Sequence, residues 1–291
     1  MTSTDTLILG AGLSGLVLAN ELKGKCLILE KSRGVGGRIA TRRIEGLGLD
    51  HGALYLKNAE SLRAYLENLK FPFKNNSQGI YFPGGMTSLA KELSQELIIR
   101  KETRAVFISK ITEGWKVETE EKLEFIGKTL VLTCPLPQSL ELLDKSHISY
   151  KKELKNITYD KALLALIVSD QFTLPDVLDP RLHSITPMGP RDLHPTGYVV
   201  RGSPDFCETQ FDADDDTNLK LLIEGFKSSF KAPPQMRSAE LKKWRYVVPH
   251  FSLPHSFEEV DQGLFLIGDS FLAPDASGAI QSALALAAKL A

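Results

Sequence analysis

The chain has 291 residues, 43% of them apolar and 24% charged, with a formal net charge of −1. These values describe an ordinary globular protein long enough for two domains or lobes, and so even a charge balance gives no reason to expect nucleic acid or an anionic membrane as a partner. Three widely spaced cysteines (Cys26, Cys134 and Cys207) exclude a disulfide framework or zinc ribbon and fit a reducing compartment, and the six histidines show no metal-ligand spacing.

In chain order, the apolar residues 6–9 predict a buried strand, GAGLSG a tight turn, and the following segment a helix to about Leu22 that Gly24 is placed to end. The glycines interrupt this apolar stretch and no basic flank precedes it, so neither a leader nor a membrane span is expected, and the cytoplasm is the default location. Residues 26–30 (CLILE) form a second buried strand, which completes a βαβ opening. Residues 59–70 have helical spacing through Leu62, Tyr65, Leu66 and Leu69, and a turn-rich loop or short hairpin follows. Another helix starts at Met86.

From 98 to 133 the pattern becomes β, and PQSLELL then starts a helix. ALLALIVS (162–169) is a long strand, and DADDDT (212–217) is an acidic turn suited to cap the next helix. WRYVV and GLFLIGD (263–269) are further strands, and SGAIQSALALAAKLA is a terminal helix. A βαβ unit thus opens the chain and a strand–Gly–Asp–helix unit closes it. This order predicts a doubly wound domain built from both ends, with a second domain inserted.

Gly10-Ala11-Gly12-Leu13-Ser14-Gly15 lies between the first strand and helix. Gly10 permits the turn, Gly12 lets backbone approach a pyrophosphate, and Gly15 lets helix and strand pack closely, with the helix N-terminus facing the phosphates. Glu30 follows Gly10 by twenty residues at the end of the second strand, where an acid accepts hydrogen bonds from ribose hydroxyls and argues against a 2′-phosphate. Directly after it, LEKSRGVGGRIATRR (29–43) concentrates five Lys and Arg among three glycines. Such a second glycine- and arginine-rich loop is not expected of a simple nicotinamide dehydrogenase.

RGVGGR resembles the RxGGR element of the FAD-dependent amine oxidase and desaturase superfamily. GGRIATRR followed by LDHGALYL (49–56), then KKWRYVVP (242–249), LFLIGDSF and SGAIQSALALAAKL, resemble its renalase-like branch. Leu54 stands where that branch commonly has Gln, and Ala276-Ser277-Gly278-Ala279 replaces the acidic EGA form.

The resemblance implies an α/β (mixed α+β) fold of amine-oxidase or p-hydroxybenzoate-hydroxylase type. It has a discontinuous Rossmann-type FAD-binding domain (1–57, 83–148 and 246–291) and a substrate domain (58–82 and 149–245) on a mixed or antiparallel sheet plus helices. It implies non-covalent FAD, since the superfamily's covalent members use a late Cys and none follows Cys207.

By the same resemblance Glu30 binds the adenosine ribose, Lys31, Gly37 and Arg38 meet the pyrophosphate, and Val106 meets adenine. Asp269, after Gly268, meets the ribityl chain or phosphate-bound water. The helix near Gly278, with Ala279 and Ile280, aims its N-terminus at the flavin pyrimidine carbonyl, and His51, Gly52 and Ala53 lie along the isoalloxazine. Tyr81, Tyr198, Trp244 and Tyr246 are candidate walls on the substrate face, with His51 beside them, while Arg191, His194 and Arg201 are candidates for an anionic substrate. No nucleophile–base set is visible, and hydride transfer to a flavin needs none.

The expected reaction takes hydride from a C–H next to nitrogen and passes electrons to dioxygen, giving hydrogen peroxide. The renalase-like branch implies a misreduced dihydronicotinamide dinucleotide as substrate, in metabolite repair. A small-amine oxidase, a desaturase-type enzyme with an apolar tunnel, and a flavin-binding protein without turnover are the alternatives. The resemblance assigns no role to Arg42 and Arg43.

Overall fold

A computed structural model describes residues 2–23, 26–189 and 196–291. Gly24, expected to end the first helix, and Arg191 and His194 lie outside the described residues.

The opening unit is β1 (Thr2–Leu9), α1 (Leu13–Glu21) and β2 (Cys26–Leu29). The apolar half of β1 and all of β2 are buried, as strands covered on both faces must be. A hairpin of β3 (Thr41–Ile44) and β4 (Leu47–Asp50) follows, then α2 (Glu60–Asn68), a second hairpin of β5 (Lys74–Asn76) and β6 (Gly79–Tyr81), and α3 (Thr87–Leu93). Next come β7 (Ile99–Arg100), β8 (Ala105–Ile111), β9 (Gly114–Thr119) and β10 (Glu124–Leu132), and then α4 (Leu136–Lys145) entered through prolines.

The inserted lobe carries β11 (Ala162–Ser169), β12 (Leu182–Met188), β13 (Thr196–Gly202), α5 (Pro204–Gln210), α6 (Asp215–Ser228) and β14 (Met236–Trp244). Asp214 accepts from Thr217 N and caps α6, as the acidic turn predicts. The chain then returns through β15 (Glu258–Asp261) and β16 (Leu264–Leu266) to α7 (Ala276–Leu290).

Strands β7, β2, β1, β10 and β16 lie parallel in that order, with β15 and the β8–β9 pair attached antiparallel at the side. Order reverses between β1 and β10, and the crevice beyond the carboxyl ends of those strands is where such sheets bind ligands. The inserted sheet runs β12-β13-β11-β14, antiparallel throughout. One of its faces packs under α5 and α6 through Leu163, Ile167, Leu222 and Phe226. Its other face, through Leu164, Leu166, Val168 and Val199, packs against Ile44 and Leu49 of the β3–β4 hairpin.

Two expectations differ from what is observed. Residues 58–82, assigned by resemblance to the inserted domain, pack with the first lobe: Leu62, Leu66, Ile80 and Phe82 share a core with Leu16, Val17, Ile280 and Ala283. The strand predicted over WRYVV lies earlier, ending at Trp244. Its charged residues Glu240, Lys242 and Lys243 mask any apolar period, and beyond it Val247 leaves the sheet to bond Asp160 O. Among the described residues no helix is long and apolar enough to cross a membrane, and no His/Cys/Asp/Glu group is placed to hold a metal.

Leu62→Ala empties a fully buried position between α2 and α7. It is expected to cost about 2–5 kcal/mol in urea unfolding, the range for a Leu deletion in a packed core. A loss below about 1 kcal/mol would place α2 outside the first lobe's core.

Candidate active site

A cleft of about 1150 Å³ lies at the carboxyl ends of β1, β2 and β10 and extends to the end of β14. It exceeds the usual range for a drug-sized ligand. The three glycines of GAGLSG have separate reasons to be there. Gly10 has φ +112°, and a Cβ on it would sit 2.6 Å from Thr133 Oγ1, while one on Gly15 would sit 2.1 Å from Gly10 O. Gly12 lines the cleft and an added Cβ would meet no protein atom within 4 Å, so any side chain there would project into ligand space. Helix α1 starts just after it without a side-chain cap, leaving its positive end toward the cleft.

The second glycine loop folds onto the first. Gly36 N donates to Ala11 O at 2.8 Å, and Gly37, with φ +55°, approaches Gly12 so closely that a Cβ would lie 3.4 Å from Gly12 Cα. Glu30 joins them: its carboxylate, 8% exposed, accepts from Ala11 N at 2.8 Å and Ser32 N at 2.7 Å. Lys31, Leu13, Ser14 and Val106 line the same end, with Lys31 Nζ on Gln138 Oε1 at 3.2 Å.

Arg38 and Asp269 meet in the cleft wall as a two-bond fork, Nη1 to Oδ2 at 2.5 Å and Nη2 to Oδ1 at 2.7 Å. Arg38 Nη1 also donates to Val247 O at 3.0 Å, and Tyr159 Oη donates to Asp269 Oδ1 at 3.3 Å. Burial works against the charged guanidinium, yet the attraction and hydrogen bonds of Asp269 outweigh it and raise the Arg38 pKa above its ordinary value. The resemblance predicts separate ligand contacts for these two residues. In the structure each engages the other.

At the opposite end, His51 stacks on Trp244 with ring centroids 5.5 Å apart, and Trp244 Nε1 donates to His51 O at 2.7 Å. Burial, then the Lys242 and Arg42 charges, push the His51 pKa down to about 4, while Glu240 opposes them. The ring is therefore neutral near pH 7, and its Nδ1 is buried without a hydrogen-bond partner. Ala53, Tyr55, Lys57, Asp275, Ala276 and Ala279 complete this end.

The amino end of α7 borders this end of the cleft through Ala276 and Ala279. Asp275 caps it, accepting from Ser277 N at 2.8 Å and Gly278 N at 3.3 Å. Gly278 permits the first turn to rest on the Ala273 carbonyl, where a Cβ would come within 1.9 Å.

Several candidates fall elsewhere. Tyr198 is fully buried on the helix-covered face of the inserted sheet, against Phe226 and Phe230, with its hydroxyl donating to Thr173 O. Strand alternation explains this: Trp244 pairs with Ala162 and faces the cleft side, whereas Tyr198 pairs with Ile167 on the other face. Tyr81 stands edge-on behind Tyr55, and Tyr55 is the one that lines the cleft.

Gly52 lies under Arg38 O, Gly268 (φ +140°) donates its N–H to Ser282, and Ile280 is wholly in the core, so these three support the walls. Arg201 pairs with Leu164 within the sheet and does not line the cleft, while Tyr246 does. Thr133, Cys134, Tyr55, Lys242 and Asp275 line it unforeseen. The switch-point rule applied to LVLTCP, and the capping preference of Asp before ASGA, are the signals that find Thr133, Cys134 and Asp275.

Residues 8–69 match the NAD(P)-binding Rossmann-like domain family. No curated protein matches the chain in sequence. Among solved structures, a protein assigned as a protoporphyrinogen oxidase from Exiguobacterium sp. 255-15 superposes with a TM-score of 0.76 at 14% identity, over 100% of this chain and 99% of that one. A triple mutant of putrescine oxidase with redesigned cofactor binding gives 0.72 at 11%, covering 99% of both chains. An oxidoreductase from Methanosarcina mazei gives 0.68 at 10%, over 97% of this chain and 99% of that one. At these identities the likeness establishes the fold alone: a Rossmann-type domain with an inserted lobe built on an antiparallel sheet.

Asp269→Asn leaves the largely buried Arg38 charge without a counter-charge and is expected to destabilise the chain by about 3–5 kcal/mol in urea melts. The double variant Arg38→Met/Asp269→Leu removes both charges and is expected to recover most of that loss; equal losses would show that the pair is not coupled. His51 has a separate signature. Its folded pKa of about 4 lies below its ordinary 6.5, so the unfolded chain takes up the proton first and stability falls as pH drops from about 6.5 to about 4. His51→Asn is expected to flatten that part of the pH–stability curve, and an unchanged slope would assign it to other groups.

Proposed function

We propose that this chain is an FAD-dependent oxidoreductase that takes hydride from a C–H next to nitrogen and passes electrons to dioxygen, with a misreduced dihydronicotinamide dinucleotide as substrate. The observation that carries the cofactor assignment is the open cradle at Gly12. Two glycine loops close on each other there, the bare end of α1 faces the cleft, and Glu30 stands at the end of β2. A carboxylate has four lone-pair sites, so Glu30 retains acceptor capacity for ribose hydroxyls beyond its two backbone bonds.

In this reading Leu13, Ser14, Gly37 and Lys31 surround the pyrophosphate, Val106 offers backbone to the adenine, and the Arg38–Asp269 fork with Ala279 borders the ribityl region. His51, Ala53 and Trp244 form the flat wall for the ring. FAD supplies the hydride acceptor and, once reduced, the electrons for dioxygen. The residues bind and orient. Trp244 and Tyr55 offer flat surface for a planar substrate, and neutral His51 adds no positive charge beside it at pH 7. Binding without a covalent bond is supported by the cysteines: Cys26 and Cys207 are buried away from the cleft, and Cys134 lies at the phosphate end beside Gly10.

Charge supports the substrate assignment over a small cationic amine. Among the described residues, nine basic side chains line the cleft against five acidic ones, in a chain whose net charge is −1. One pyrophosphate offsets part of that excess, and a second anion suits the remainder.

The test is an anaerobic titration of the purified flavoprotein. Bleaching of the flavin absorbance by borohydride-reduced NAD, and not by simple amines, is expected. Bleaching by amines alone would transfer the assignment to an amine oxidase, and bleaching by neither would leave a flavin-binding protein without turnover. Gly12→Val is expected to purify folded but without yellow colour; full retention of FAD would show that the cradle does not hold the cofactor.

A further inference from the structure

The cleft mouth holds a second basic site, separate from the glycine cradle. Arg42 comes from β3 of the first lobe and Lys242 from β14 of the inserted lobe, and both line the cleft. Glu240 lies between them without lining it. Arg42 Nε and Nη2 donate to its two oxygens at 3.0 and 3.2 Å, and Lys242 Nζ donates at 3.2 Å. We propose that Arg42 and Lys242, organised by Glu240, form a clamp for the phosphates of the substrate, selecting a phosphate-bearing dihydronicotinamide over its unphosphorylated counterpart. This rests on the oxidase reading above.

Charge accounting separates this pair from its neighbours. Lys243 and Arg245 also border the cleft, but each has its own acid, Asp215 at 2.9 Å and Asp212 at 2.8 Å, and both lean on the Phe211 ring. Arg42 and Lys242 share one carboxylate, so the trio keeps a net positive charge. Strand alternation sets its position. Glu240, Lys242 and Trp244 occupy every second place on β14 and share the face that meets His51. After burial, the Lys242 and Arg42 charges also act to lower the His51 pKa, in keeping with their position beside the wall where the planar substrate would lie.

The chemistry suits phosphate: a planar guanidinium able to make paired bonds, joined by a mobile ammonium. A purely structural role is the competing account. Half-exposed ion pairs of this kind contribute little to stability, and a second bridge, Arg237 to Glu45 at 2.9 Å, already joins β14 to the β3–β4 hairpin outside the cleft.

The experiment uses holoenzyme with borohydride-reduced NAD and borohydride-reduced nicotinamide riboside, comparing wild type with Arg42→Gln, Lys242→Gln and Arg237→Gln. Each clamp variant is expected to shrink the dinucleotide's advantage in kcat/KM over the riboside by about tenfold, mainly through KM. Binding of NAD⁺, followed by tryptophan fluorescence, is expected to weaken in parallel, while Arg237→Gln leaves both readouts unchanged. An unchanged advantage in the clamp variants, or an equal loss from Arg237→Gln, would overturn the clamp. Should wild type oxidise neither substrate, the oxidase reading fails by itself. Comparison of NAD⁺ with oxidised nicotinamide riboside in the same fluorescence titration then decides the clamp independently.

Discussion

The fork between Arg38 and Asp269 is the contact on which the cleft depends. It joins residues 231 positions apart, the second glycine loop and the end of β16, and the Val247 carbonyl adds the chain's exit from the inserted lobe. Removing a guanidinium and a carboxylate from water is costly, and attraction offsets that cost only with good geometry and further hydrogen bonds. Both conditions are met: two parallel bonds, the Val247 carbonyl, and the Tyr159 hydroxyl on Asp269. The backbone of Arg38 is held as well, since its carbonyl accepts from Ala53 N at 2.8 Å and Gly52 leaves it room. The second glycine loop and the wall that carries Ala53 are therefore set by one residue.

How much of this the sequence shows depends on how local the cause is. Gly10, Gly12 and Gly15 are legible because all three stand within six consecutive residues between a strand and a helix, even though the atom nearest a Cβ on Gly10 belongs to Thr133. β11 is legible because a strand buried on both faces reads as an unbroken apolar run. The same property hides the side of a strand. In β13 consecutive residues are buried on both faces, so nothing in TGYVV marks whether Tyr198 or Val199 faces the cleft. β14 fails in the opposite way, since both its faces are partly exposed and its charges suppress the period. The partner of Arg38 is illegible for a third reason, because no local pattern connects position 38 to position 269.

The cap on α7 shows what local chemistry adds to the resemblance. The resemblance aims this helix end at a ligand, and Asp before a helix is among the strongest capping signals. Asp275 takes the Ser277 and Gly278 amides and brings a negative charge to that end of the cleft, with the Lys57 ammonium 3.8 Å away. The electrostatics there are thus not those of a free helix dipole. A carboxylate opposes the dipole that would otherwise stabilise an anion, so stabilisation of charge at this end falls to the basic side chains around it.

Those side chains explain how a chain of nearly balanced charge presents a strongly basic cleft. Excess acid lies outside the cleft and excess base lines it, a separation that focuses the field into the opening and draws anions toward it. The basic groups are also divided along the cleft. Lys31 and Arg38 lie near the glycine loops of the first lobe, whereas Lys242 and Lys243 stand near the end of β14 of the inserted lobe and Arg245 follows directly after it. Arg42 bridges the two, because β3 docks beside β14 through Glu240. Stretch 29–43 therefore serves both lobes: Arg38 fixes the shared floor, and Arg42, four residues later, reaches across to the inserted sheet.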